Sequence, residues 1–167
     1  MKLFGNRIPS DVRTRLQDQL GQRPVVLAWA RTDDGVAVAL PDQLAVDRGG
    51  AWECLPWEDV LTGGWDRADG ALRWRRVSTS ADESVALSDP GSLPEVFRER
   101  VEATILVQQT VQAGPGRSIT LTGRRSLAEG EVTIRWTAHP APGVRMEGET
   151  LAFVERQLAK LRAEYAF

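Results

Sequence analysis

A chain of 167 residues with 42% hydrophobic and 26% charged side chains lies in the globular range. Folding at that length buries roughly 70% of the surface the unfolded chain exposes, so a core needs no staples. A net charge of −2 lacks the cation excess that non-specific binding to phosphate backbones requires. The lone Cys54 excludes an intrachain disulfide and a cysteine-based zinc cage.

Nineteen of the 21 basic residues are arginine, with Lys2 and Lys160 the only lysines, as a GC-rich genome would produce. Six tryptophans are the unusual feature, and several should anchor a sheet, because a buried indole needs a partner for its N–H. The start, from Met1 to Arg7, has no apolar segment of signal-peptide type, and no stretch approaches 18 apolar residues. The expectation is a cytoplasmic protein without a membrane span.

The first predicted element is a short helix, with Ser10 as N-cap, an apolar stripe of Ile8, Val12, Leu16 and Leu20, and a stop at Gly21. From Pro24 to Leu87 the pattern changes to strands and turns. Residues 25–30 read as a strand, Asp33-Asp34-Gly35 as a hairpin turn, and residues 36–40 as the returning strand. Residues 44–47 and 51–55 follow, separated by Arg48-Gly49-Gly50. Residues 56–65 read as one strand, bulged at Pro56 and at Gly63-Gly64. After Asp69-Gly70, residues 71–77 alternate Leu72 and Trp74 with Arg73 and Arg75, the period of a half-buried strand, and residues 84–87 close the series.

About seven short strands at intervals near ten residues predict an antiparallel barrel or sandwich. Ser92-Leu93-Pro94-Glu95 is a capping box that opens a helix with Val96, Phe97, Val101 and Ile105 on one face. Past Thr104 the run Ile105 to Val111 is β-branched enough for a strand, and the pattern leaves the end of the helix open. Gly114-Pro115-Gly116 breaks the chain. Residues 118–122 and 131–136 then predict a hairpin across Ala128-Glu129-Gly130. A loop from His139 to Gly148 precedes a last helix, with Leu151, Val154, Leu158, Leu161 and Tyr165 in one apolar seam. The seam fits docking on the protein's own sheet, or on a helix of another copy.

Seven strands followed by an amphipathic helix is the order of a pleckstrin-homology-like (PH-like) barrel. Residues 43–47, the phrase Leu55-Pro56-Trp57-Glu58-Asp59-Val60, the strand at Ala71 to Trp74 and the helix start from Asp89 to Val101 resemble bacterial PH-like domain families. With the arginine bias, an actinobacterial member is implied. The resemblance covers about residues 24 to 105. It implies an α+β fold: a PH-like antiparallel barrel of about seven strands capped by a helix, with an N-terminal helix, an extra β-hairpin and a C-terminal amphipathic helix. One domain over residues 1–167 is expected, with the barrel and capping helix in 24–112 and the hairpin and last helix in 117–167. Such domains inform fold more than activity.

His139 is the only histidine and has no Cys, Asp or Glu at metal spacing, so neither a catalytic triad nor a metal site is legible. Glu58-Asp59 would point to opposite faces of a strand, and Asp33-Asp34 reads as turn chemistry. Gly114-Pro115-Gly116-Arg117 lacks the Gly-Lys-Ser/Thr of a phosphate loop. No catalytic residue, cofactor or metal is expected. The candidate binding patch is Arg73, Trp74, Arg75 and Arg76 on one strand, with Arg124-Arg125 ending another. In the PH superfamily basic residues on early strands can hold phosphorylated head groups. Here the arginine strand comes late and the first hairpin is acidic, which disfavours inositide binding. The leading expectation is a non-enzymatic module that binds a protein partner, another copy included, through the barrel face or C-terminal helix. The alternatives are a small-molecule carrier or small enzyme with a pocket between barrel and helix, and contact with anionic lipid or nucleic acid through the arginine strand.

Overall fold

The computed structural model describes residues 7–130 and 132–166. Residues 1–6, read above for the lack of a signal segment, lie outside the described residues, as does Glu131, the expected first residue of a strand. Among the described residues, three helices and ten strands in three antiparallel sheets make an α+β fold. Among the described residues no helix is long and apolar enough to cross a membrane. The chain divides into two compact units, one of Met1–Thr104 with Ser126–Gly130, the other of Ile105–Arg125 with Glu131–Phe167. The sequence reading, by comparison, treats residues 1–167 as one domain and places its internal division after residue 112.

In the first unit, helix α1 (Ser10–Leu20) precedes strands β1 (Ala28–Arg31), β2 (Val36–Ala39), β3 (Gln43–Arg48) and β4 (Ala51–Pro56), which form one sheet in sequence order. Strands β5 (Val60–Asp66), β6 (Ala71–Arg76) and β7 (Asp82–Ala86) form a second sheet, again in sequence order. Helix α2 (Leu93–Thr104) follows. The seven expected strands are all present, but the expected closed barrel is not: among the described residues, no ladder joins β4 to β5. The break has a local cause. Pro56 ends β4 and cannot donate a ladder hydrogen bond. The next three residues, Trp57–Asp59, wind into a 3₁₀ turn instead of continuing the strand. The register shift expected at Pro56 and the glycine pair falls between Val60 and Thr62.

Alternation along the strands gives the first sheet two apolar faces. Ala37, Ala39, Leu44 and Val46 face a core shared with Leu55, Trp57, Val60, Leu72, Trp74, Leu93 and Phe97. Val36, Val38, Leu40 and Ala45 face the other way and are covered by Val12 and Leu16 of α1 and by Ile8, two residues before it. This is why β2 is buried at every position. Ser10 is the first helical residue of α1, not its N-cap: Pro9 takes that position without a side-chain cap bond, and Gly21 ends the helix at φ 71°.

Helix α2 begins where the capping-box pattern predicts, with Val96 N–H donating to the Ser92 carbonyl at 3.0 Å. It ends at Thr104, whose hydroxyl donates to the Val101 carbonyl at 2.6 Å and so occupies an acceptor the helix end leaves orphaned. The β-branched run after it is strand β8 (Ile105–Gln112).

In the second unit β8 pairs with β9 (Ser118–Arg125), and β9 with β10 (Ile134–Pro140), so the expected hairpin is the larger part of a three-stranded sheet. Gly114 to Arg117 is the turn between β8 and β9, closed by Ala113 N–H on the Arg117 carbonyl at 2.9 Å. His139 and Pro140, read as loop, are the last residues of β10, with His139 opposite Thr120. Helix α3 (Gly148–Glu164) lays Val154, Leu158 and Leu161 on Ile119 and Leu121 of β9. Of the predicted seam, Leu151 stays exposed and Thr150 is buried instead.

Candidate functional site

The arginine-rich strand is β6, the centre of the β5–β6–β7 sheet. Its alternation sends Trp74 inward, 4% exposed, and leaves Arg73 and Arg75 outside. Trp74 leans on Phe97 of α2 with ring centroids 6.2 Å apart, and its indole N–H donates to Glu83 Oε2 at 3.2 Å. The residue is part of the core, with its polar edge satisfied by the strand opposite.

Each of the three arginines is matched by a carboxylate. Arg73 Nε donates to Asp66 Oδ2 at 3.0 Å and a second arm reaches Asp69. Arg75 grips Asp82 with two parallel bonds of 2.8 and 2.9 Å. Arg76 donates to Asp59 Oδ2 at 3.1 Å and pairs with Glu83. Antiparallel register sets Arg75 opposite Asp82 and Trp74 opposite Glu83, while Arg73 and Arg76 reach carboxylates that are not their register partners. The backbone N–H of Asp69, then the Arg73 guanidinium, hold the Asp66 carboxyl below the ordinary carboxylate range. Arg75 does the same for Asp82. Both carboxylates are therefore ionised at neutral pH, and the guanidiniums beside them have charge already answered.

Asp59 is the buried end of this network and lies in the 3₁₀ turn, not in a strand. Its two oxygens accept from Ser78 N–H at 2.9 Å, from Ser78 Oγ at 2.8 Å and from Arg76. The neighbouring Glu58 is half-buried and takes no part in these bonds. Asp59 therefore pins the β6–β7 turn. A pairing of Glu58 with Asp59 for acid–base work is not what the turn provides.

Over the β5–β6–β7 sheet lies an open concavity of about 1000 Å³, with Gly63, Gly64 and Trp65 on one side. Arg67, Arg73 and Arg75 share its lining with Asp66, Asp82 and Glu83, three charges of each sign. It is a mixed-charge surface, where a phosphate site would be basic. The space between sheets and α2 is filled. Trp57 and Phe97 are 0% and 1% exposed and meet edge to face at 5.6 Å. The Trp57 indole N–H donates to the Leu40 carbonyl at 2.9 Å.

The remaining sequence candidates are dispersed. Asp33-Asp34-Gly35 is a hairpin turn closed by Thr32 N–H on the Gly35 carbonyl at 2.9 Å. Arg124 is buried and donates to Thr137 Oγ1 at 2.9 Å. Cys54 sits half-buried on β4, where burial first, and Asp42 second, push its thiol pKa up and away from reactivity. Among the described residues no group of three or more His, Cys, Asp or Glu is placed to hold a metal ion.

Sequence reasoning missed a second concavity, of about 350 Å³, between the residues before α1, the entry to β1 and the start of α2. The signal was present in Pro24-Val25-Val26-Leu27, four apolar residues in a row where a one-sided strand would alternate. Val25 and Leu27 are 63% and 40% exposed. In comparisons with known proteins, the chain matches no family model, no curated protein and no solved structure.

Proposed function

We propose that this chain is a PH-like interaction module without catalytic activity, which binds a protein partner through the outer surface of its first unit. The observation that carries the reading is the solid interior of that unit. Trp57, Leu72, Leu93 and Phe97 are all at most 1% exposed and occupy the space where a carrier or a small enzyme would need its cavity. Recognition then falls to the outside. The order of four antiparallel strands, three antiparallel strands and a helix packed on both supports the PH-like part of the reading.

The charge pattern favours polypeptide over phosphate. Arg73, Arg75 and Arg76 are spent on Asp66, Asp69, Asp82, Glu83 and Asp59. An anionic head group or a nucleic acid would have to displace those carboxylates before being bound. The C-terminal seam is a poor docking surface, because Val154, Leu158 and Leu161 are buried on β9. The outer surface of the first unit's two sheets and helices is left as the contact surface.

Affinity capture from the native organism, read by quantitative mass spectrometry and paired with sedimentation equilibrium of the purified chain, tests the reading. A stoichiometric protein partner, or reversible self-association, is expected. A chain that stays monomeric, retains no protein and carries a small molecule through native mass spectrometry overturns it.

A further inference from the structure

We infer that the smaller concavity of the first unit docks an acidic segment of the partner protein, one that carries an aliphatic or aromatic anchor residue. The inference rests on the interaction-module reading and names the surface and the chemistry it would use. Ile8, Val26, Leu27 and the half-buried Trp29 give the groove an apolar lining. Among the described residues of this unit, Val25 and Leu27 are the most exposed large hydrophobic side chains. Such exposure rimmed by polar groups marks a contact surface.

The rim sets the partner's charge. Arg7 and Arg13 line the groove, and among the described residues neither forms a salt bridge, in contrast to Arg73, Arg75 and Arg76. Arg31 lies over the ring of Trp29, a residue of the lining, 5.5 Å from its centroid. Gly91 and Ser92, at the start of α2, bring the partially positive end of a twelve-residue helix to the opposite wall. Asp89 is the one acidic residue in the lining. A locally positive rim on a chain of net charge −2 fits an acidic peptide. A volume of about 350 Å³ lies at the small end of ligand pockets and suits one anchor side chain. A bilayer is flat on this scale and cannot enter it, so a peptide is favoured over an anionic membrane.

The test uses the full chain and a displayed library of random twelve-residue peptides. Selected peptides are expected to combine Asp or Glu with Leu, Ile, Phe or Trp. A fluorescein-labelled consensus peptide should lose at least tenfold in affinity on Arg13→Glu and on Leu27→Asp, and weaken several-fold between 50 and 500 mM salt. Arg75→Glu should leave it unchanged. Both groove positions are at least partly exposed, so unaltered thermal melts will show that the variants fold. Peptides without acidic residues, or binding insensitive to both groove variants, overturn the inference. So does binding of the chain to phosphatidylserine-containing vesicles that Arg13→Glu abolishes. If peptides bind but respond only to Arg75→Glu, the groove is wrong and the module reading survives. If no peptide and no native partner binds, both fail.

Discussion

At Gly35 an added Cβ would stand 2.5 Å from the Asp47 carbonyl oxygen and 2.8 Å from its Cγ. The hairpin between β1 and β2 closes over β3 at that point, and Asp47 cannot step aside. It is 2% exposed, its Oδ1 accepts Gly50 N–H at 2.7 Å, and its Oδ2 accepts Arg15 at 2.9 Å. Gly35→Ala should therefore cost about 1–3 kcal/mol by overpacking, although the sequence reads Gly35 only as a turn residue. Urea denaturation checks this, and a variant within 0.5 kcal/mol (about the scatter of neutral surface substitutions) removes the steric account. A second residue-scale expectation concerns acid. Asp66 and Asp82 titrate below the ordinary 3.8 in the folded chain. Their contribution to stability is thus complete above 3.8 and is lost as pH falls through the lower folded values. Carboxyl NMR titration should give midpoints below 3.8 for both, and Asp82→Asn should return Arg75 to solvent without unfolding the sheet. Midpoints at or above 3.8 contradict the pairing.

At the scale of elements, Phe97 anchors α2 in the core beside Leu93. Phe97 meets Trp57 at 5.6 Å and Trp74 at 6.2 Å, and β5 makes room for it with Gly63, where a Cβ would lie 3.1 Å from the Phe97 ring and 2.9 Å from the Arg73 carbonyl. Phe97→Ala should cost about 3–5 kcal/mol, since the aromatic neighbours cannot collapse into the space. The drop in denaturation midpoint measures it, and a loss under 1 kcal/mol contradicts the anchoring role. Most elements were legible from pattern. The alternation of Leu72 and Trp74 with Arg73 and Arg75 gives β6, and Ser92 with the apolar positions after it gives α2. The chain between Pro56 and Val60 was not. An apolar Trp beside a Pro reads equally as a strand or a turn. What decides is that Trp57 finds the Leu40 carbonyl for its N–H inside the core, a partner 17 residues away.

At the scale of the molecule, two compact units imply two cooperative blocks of stability. Leu121 is fully buried under α3, and Leu121→Ala should cost the second unit roughly 2–5 kcal/mol. Native-state hydrogen exchange should then quicken in β9 and β10 while β2 and β3 keep their protection. Equal loss in all four strands would mean a single cooperative block. Composition and periodicity by themselves determined an α+β chain of short antiparallel strands, the turns between most of them and the faces of the helices, because those depend on φ/ψ preference and on which side chains avoid water. Only the tertiary structure decided that the strands part into separate sheets, that the arginines of β6 are paired with carboxylates of the neighbouring strands and turns, and that Val25 and Leu27 are left bare. Those outcomes depend on which distant residue arrives opposite which, and neighbours along the chain carry no record of it.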